Sequence, residues 1–273
     1  MTRPAALGAI AVPGGPTGAR LAVVLGSSLL RSPFEGGDPR SIEVPGAEGR
    51  PTTVGVLDHG AFVELARHGA DGRTPAHLVD HHAHVRALLD VGCDRVLAIG
   101  SSGSLRAELG VGTLVAPDDL LALSTYPTFH DSTEGYGLRG FDPSWRAQVL
   151  EACSVASRPV VDGGTYAQVC GPRFETPAEV RLLSTFAELV GMTLAAECVL
   201  AAEAGLRYAA ICQVDNLANG IAPHGAAPSD VVSAVDAYLD NTRVLHQRFA
   251  DDITAVVLAL SEPAAVTGRT DPS

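Results

Sequence analysis

Three short, wholly apolar runs, each ending in a polar turn, constrain this chain more than anything else in it. Leu21-Ala22-Val23-Val24-Leu25 leads into Gly26-Ser27-Ser28, Arg95-Val96-Leu97-Ala98-Ile99 into Gly100-Ser101-Ser102-Gly103-Ser104, and Tyr208 through Val214 into Asp215-Asn216. Runs without polar alternation suit strands buried on both faces. A fourth apolar stretch, Phe62 to Ala66, ends in Arg67-His68-Gly69. Helical patterns separate these strands over about 75–91, 177–187, 195–205 and 228–260, the last opened by Pro228-Ser229-Asp230 as a cap signal. The alternation predicts an α/β fold: a single domain whose mainly parallel, mixed central sheet is flanked by helices. Ligands of such sheets bind at the carboxyl ends of the strands, and the polar turns all lie there.

The domain is expected over 20–261, with 1–19 and 262–273 reading as flexible tails from their Pro, Gly, Ala, Ser and Thr content. Hydrophobic residues make up 46% of the 273, enough for one substantial core. A net charge of −12 repels a nucleic-acid backbone or an anionic membrane, so no nucleic acid and no membrane is expected as a partner. An anionic substrate must then be held by local donors. The five cysteines show no CxxC spacing, which predicts neither a disulfide framework nor a metal site. The first twenty residues lack a continuous apolar stretch, and no run reaches the roughly eighteen apolar residues that span a bilayer. A cytoplasmic location is expected.

Two segments carry the most chemistry. Gly171-Pro172-Arg173-Phe174-Glu175-Thr176-Pro177-Ala178-Glu179 is followed some forty residues later by Val214-Asp215-Asn216-Leu217-Ala218-Asn219-Gly220. Together they set an aromatic ring, carboxylates and a carboxamide on loops beside an apolar strand. A flat heterocycle needs a face to stack on and groups to grip its edge. The Gly-Ser turns at Ser27 and Ser101 offer hydroxyls and unencumbered backbone N–H groups to an oxyanion, and Arg67 supplies a cation directly after a strand. His81, His82 and His84 are read as lying on different helical faces, which argues against a zinc site there.

At these motifs the chain resembles the trimeric purine nucleoside phosphorylases and methylthioadenosine phosphorylases, over roughly residues 20–260. The resemblance implies phosphorolysis of a purine nucleoside, or of one modified at the 5′ carbon, without metal or organic cofactor and with inorganic phosphate as co-substrate. It implies that Ser27, Arg67, His68, Ser101 and Thr193 surround the phosphate, that Phe174, Glu175, Asp215 and Asn216 form the base pocket, and that Met192 packs against the sugar. Asn216 is the implied catalytic residue, its amide N–H meeting the purine N7 as negative charge accumulates there. Ser229 and Val232 would line the 5′ end. His130, in Pro127-Thr128-Phe129-His130-Asp131, would reach the pocket of a neighbouring subunit, so a homotrimer is implied.

Two departures stand out. Where relatives carry an N-Y-R-A-N pattern this chain has Asp80-His81-His82-Ala83-His84, so that His82 takes the place of an arginine. Where they carry Pro-Glu after the Met element, it reads Ala196-Glu197. Asn at 216 with Glu at 175 goes in the family with 6-oxopurines, whereas Asp215 adds a carboxylate able to accept from a 6-amino group; both substrate classes remain open. A nucleosidase using water on a related fold, and a nucleoside-binding protein without turnover, are the rival readings of the same residues.

Overall fold

A computed structural model describes residues 20–29, 31–123, 127–130, 133, 136–137, 140–222 and 233–261. The expected tails therefore lie outside the described residues. In chain order the elements are β1 (Arg20–Leu25), β2 (Asp38–Pro45), β3 (Pro51–Asp58), β4 (Phe62–Ala66), α1 (His81–Asp90), β5 (Cys93–Ser104), β6 (Leu114–Ala116) and β7 (Asp119–Ala122). They continue with α2 (Pro143–Val155), β8 (Val161–Asp162), β9 (Thr165–Gln168), α3 (Pro177–Leu183), β10 (Leu189–Gly191), α4 (Leu194–Glu203), β11 (Arg207–Leu217) and α5 (Ala234–Ser261).

The four apolar runs form the centre of one mixed sheet, with β4, β1, β5 and β11 side by side and parallel. Antiparallel partners flank them: the β2–β3 hairpin pairs onto β4, and β6 pairs with β11. Helices cover both faces. One core cluster gathers Ala22, Val24, Val96 and Ala98 with α1 and α4, and the other gathers Leu21, Val23, Leu97 and Ile99 with α2 and α5. Alternate residues of each strand thus feed opposite cores, which is why these strands show no polar alternation.

The unusual length of β5 positions the site. Its first half, Arg95 to Ile99, pairs with β1, and its last two residues, Gly103 and Ser104, pair with β10 instead. β1 has ended at Leu25, opposite Ile99, and the antiparallel pairing with β10 stops at Val190, opposite Gly103, so the edge of β5 is left open between Gly100 and Ser102. On the other side β11 follows β5 along its whole length but bulges at Asp215, between Val214 opposite Ser102 and Asn216 opposite Gly103. A cleft where strands part company is the expected ligand position in an open α/β sheet.

The helix expected over 75–91 is shorter and starts later. A 3₁₀ turn at Ala76–Leu78 precedes α1, and Asp80 breaks the two apart because its carboxylate accepts both from Ala83 N, as the helix cap, and from Ala47 N. α3 stops at Leu183, and the cap signal at 228–230 lies outside the described residues. α2, capped by Asp142 through Trp145 N, and the β2–β3 hairpin were not anticipated. All five cysteines are free thiols, four of them buried. No helix among the described residues is long and apolar enough to cross a membrane.

Candidate active site

A cavity of about 310 Å³ occupies the cleft beside β5. Its wall brings together Ser27, Arg67, His68, Ser101, Phe174, Glu175, Met192, Thr193 and Asn216, residues drawn from six separate stretches of the chain. Those implied to meet an anion come from the turns after β1, β4 and β10 and, for Ser101, from the open edge of β5. Those implied to meet a base come from the loop before α3 and from the end of β11. A larger open groove of about 860 Å³ lies between Thr113 and α5, but its lining gathers Arg158, Arg248, Asp251 and Asp252 near the surface, and Arg158 already pairs with Asp252 at 3.0 Å. The smaller cavity holds the convergent chemistry.

At its anion end the governing contact is a buried ion pair. Arg67 Nε and Nη2 donate to the two oxygens of Glu197 at 2.8 and 2.9 Å, and Nη1 donates to Ile99 O at 2.9 Å. Tyr208 OH adds a third bond to the carboxylate at 2.8 Å. Burial works against the charge on both partners, yet their attraction and paired hydrogen bonds outweigh it, so the guanidinium is pushed further up and the carboxyl well down. Gly26 permits this: a Cβ there would strike Arg67 Nη1 and sit 2.6 Å from Ile99 O. Glu197 therefore has a clear function, which the sequence showed only as a residue retained beside a lost proline.

His68 Nδ1 lies 2.8 Å from Thr74 O and so carries the proton, and burial followed by the charge of Arg67 lowers the ring's pKa. Thr193 caps α4 without a side-chain bond, because Gln168 Oε1 takes Ala195 N and Ala196 N at 2.7 and 3.1 Å. Its hydroxyl is left on the cavity wall.

His81 and His84 lie three residues apart on α1 and share a face, contrary to the expectation of different faces, since three residues advance a helix by nearly a full turn. Their ring nitrogens come within 4.8 Å of each other and of Glu197. Both oxygens of Glu197 already bind the Arg67 guanidinium, and a metal cation placed there would face that positive charge. Desolvation of the half-buried ring, and then the neighbouring His81, lower the pKa of His84 to about 4. His82 is not on the cavity wall. Its Nε2 donates to Thr128 O at 3.0 Å and its ring meets Phe129 edge-on at 5.0 Å, so it braces the segment before His130 instead of replacing an arginine at the anion end.

Asp215 is the main correction at the base end. Its side chain is fully buried and accepts from Ser28 Oγ at 3.0 Å, from Ser101 Oγ and from Gln213 Nε2, none of them at the base end. The bulge in β11 separates the two neighbours: Asn216 lines the cavity while Asp215 ties the turn after β1 to Ser101 of β5 beneath it. Burial raises the pKa of Asp215.

Asn216 Nδ2 lies against Gly103, where a Cβ would approach it to 3.3 Å, and donates to Leu217 O at 2.9 Å. Glu175 is 5% exposed, and burial raises its carboxyl. Met192 packs on Gly171, whose φ of +64° and 2.5 Å clearance to the sulfur leave room only for glycine. The remaining residues of that block are local structure: Thr176 and Glu179 form a capping box on α3, and Arg173 grips Glu179 with two bonds of 2.7 Å.

Two contributors were missed. Tyr238 of α5 lines the cavity with its ring centroid 5.8 Å from that of Phe174, and Asn219 joins Glu175 O to Ala234 N at 2.8 and 3.0 Å. Asn219 stood in a quoted motif, but only the fold connects it to α5. Ser229 and Val232 lie outside the described residues. His130 is half-buried and does not line this chain's own cavity.

A family model described as "Phosphorylase superfamily" matches residues 20–251, and the chain belongs to that superfamily. Among curated relatives it is 37% identical over 169 residues to a probable 6-oxopurine nucleoside phosphorylase of Archaeoglobus fulgidus, covering 62% of this chain and 70% of the relative. It is 31% identical over 253 residues to the 6-oxopurine nucleoside phosphorylase of Pyrococcus furiosus, covering 88% and 91%. Among solved structures it superposes on methylthioadenosine phosphorylase from Schistosoma mansoni in complex with adenine with a TM-score of 0.72 at 26% identity, covering 90% of this chain and 93% of that one.

Proposed function

We propose that this protein is a pentosyltransferase that cleaves the N-glycosidic bond of 6-oxopurine nucleosides with inorganic phosphate, releasing the purine and a ribose 1-phosphate or its 5-modified analogue. The observation that carries the reading is the convergence of an anion-suited end and a base-suited end in one cavity of about 310 Å³. A phosphate oxygen forms the new bond to C1′ while the C1′–N9 bond breaks and its electron pair leaves with the purine. Asn216 then acts as the catalytic residue, donating to N7, where the charge grows most between ground and transition state. Glu175, as a carboxylate, accepts the N1–H of a 6-oxopurine. Adenine has no hydrogen at N1, and with Asp215 beneath the cavity no second carboxylate is left to accept from a 6-amino group.

Phosphate is the sole co-substrate in this reading, with no metal and no organic cofactor. The working assembly is a homotrimer in which His130 closes a neighbour's cavity. In its support, Glu203 grips Thr128 Oγ1 and Phe129 N at 2.9 and 2.7 Å, holding the segment that presents His130. Sedimentation at a monomeric mass would remove that part of the proposal.

The central test is initial-rate assay of inosine, guanosine, adenosine, methylthioadenosine and methylthioinosine with and without phosphate. The 6-oxo substrates are expected to exceed their 6-amino counterparts in kcat/KM by about 10²-fold or more. Equal turnover in phosphate-free buffer would identify a hydrolase, and binding without release would identify a nucleoside-binding protein.

A further inference from the structure

The cavity contains two arginines of opposite character. Arg67 carries a charge that Glu197 neutralises, and three of its five N–H groups are already engaged, leaving one on Nη1 and one on Nη2. It can donate hydrogen bonds to an anion but brings no net charge. His68, lowered in pKa by burial and by Arg67, adds none in its neutral form. Glu175 contributes a carboxylate to the same wall, and the chain as a whole carries −12. Phosphate near neutral pH holds between one and two negative charges, so this cavity needs another cation.

Arg73 is that cation. It lines the cavity, is exposed, and its guanidinium has no hydrogen-bond or ion-pair partner among the described residues; only its backbone N is engaged, donating to Asp71 Oδ1 at 3.1 Å. The loop that carries it is a closed tongue. Thr74 N donates to His68 O at 2.9 Å and His68 Nδ1 donates to Thr74 O at 2.8 Å, a two-bond clasp at its neck. Gly72 N returns to Gly69 O at 2.9 Å, with both glycines at positive φ, +67° and +79°, where other residues are strained.

We propose that Arg73 is a phosphate-binding residue, supplying the net positive charge that the Arg67–Glu197 pair does not, and that the His68–Thr74 clasp positions it at the cavity. This rests on the phosphorolytic reading above. It also gives His68 a second function, as the hinge of the tongue.

The test is the phosphate dependence of wild type, Arg73→Ala and Arg73→Lys with the preferred nucleoside, alongside calorimetric titration of inorganic phosphate into nucleoside-free protein. Arg73→Ala is expected to raise the phosphate KM about 10- to 100-fold while leaving the nucleoside KM and the kcat at saturating phosphate within a few-fold. Arg73→Lys restores most of the loss. Added sodium chloride should raise the wild-type phosphate KM more steeply than that of Arg73→Ala, because one screened attraction has gone. The side chain is exposed and unpaired, so thermal midpoints stay unchanged. A phosphate KM and calorimetric affinity equal to wild type in Arg73→Ala would overturn the assignment and leave the phosphorolytic reading intact. Phosphate-independent turnover by wild type would instead defeat that reading, and calorimetry would still judge Arg73.

Discussion

The two ends of the cavity are built on different principles. At the anion end, charges are satisfied inside the protein before any ligand arrives: Arg67 and Glu197 are 1% and 3% exposed, Tyr208 completes the carboxylate, and Asp215 binds Ser28 and Ser101 from two other strand ends. At the base end, half-buried rings of Phe174 and Tyr238 face each other across loop and helix, and polar groups hang on backbone contacts such as Asn219 to Glu175 O. The first end is part of the fold's stability. The second is supported by the fold without holding it up, so its residues are free to discriminate among substrates.

That contrast can be broken from either side. Its largest expected effect is on stability at the anion end. Glu197→Ala leaves a buried guanidinium without its counter-charge and should destabilise the protein by about 3–5 kcal/mol, measured by denaturant unfolding. Loss below about 1 kcal/mol would mean that Arg67 is hydrated in solution and the pair is not structural. At the base end, Asn216→Ala should lower kcat by about 10²–10³-fold while the unfolding midpoint moves little, because its contact strengthens in the transition state. A fall in stability matching that of Glu197→Ala would erase the distinction between the two ends.

The smallest effect is a proton effect near the anion end. His84 has a folded pKa of about 4, below the ordinary 6.5, because its half-buried ring is desolvated and lies near the charges of His81 and Arg67. Between those values the unfolded chain binds a proton that the folded chain refuses, so stability falls as pH falls, by up to about 3 kcal/mol across the window. His84→Asn should flatten that slope in unfolding measured from pH 7 to pH 4. An unchanged slope would assign the acid sensitivity to other groups.

Most of the frame was legible because burial on both faces leaves its mark directly in residue type. The runs at 21–25, 62–66, 95–99 and 208–214 fall inside β1, β4, β5 and β11, and their polar endings lie at one edge of the sheet. Helix bounds were less legible where a side chain served two masters, as Asp80 does in capping α1 while holding Ala47. The nine cavity residues could be named from motifs, since each sits at a strand end or in a quoted block. α2 and the β2–β3 hairpin lacked so clear a mark. In α2 the buried residues are spaced Trp145, Val149, Ala152 and Cys153 among polar neighbours, a pattern weaker than an unbroken apolar run.

The amino-acid sequence alone determined the parallel centre of the sheet, the side on which ligands gather and the residue types available there, because hydrophobic periodicity and turn chemistry are local properties. Only the tertiary structure decided what each polar group faces. Asp215 and Asn216 are adjacent in sequence, yet one bulge in β11 puts the first beneath the anion turns and the second on the cavity wall. Arg67 and Arg73 are six residues apart, yet a glutamate 130 positions from Arg67 neutralises the first and leaves the second open to an anion. Hydrogen bonds and ion pairs between distant segments depend on ångström-scale approach in three dimensions, and no spacing along the chain encodes it.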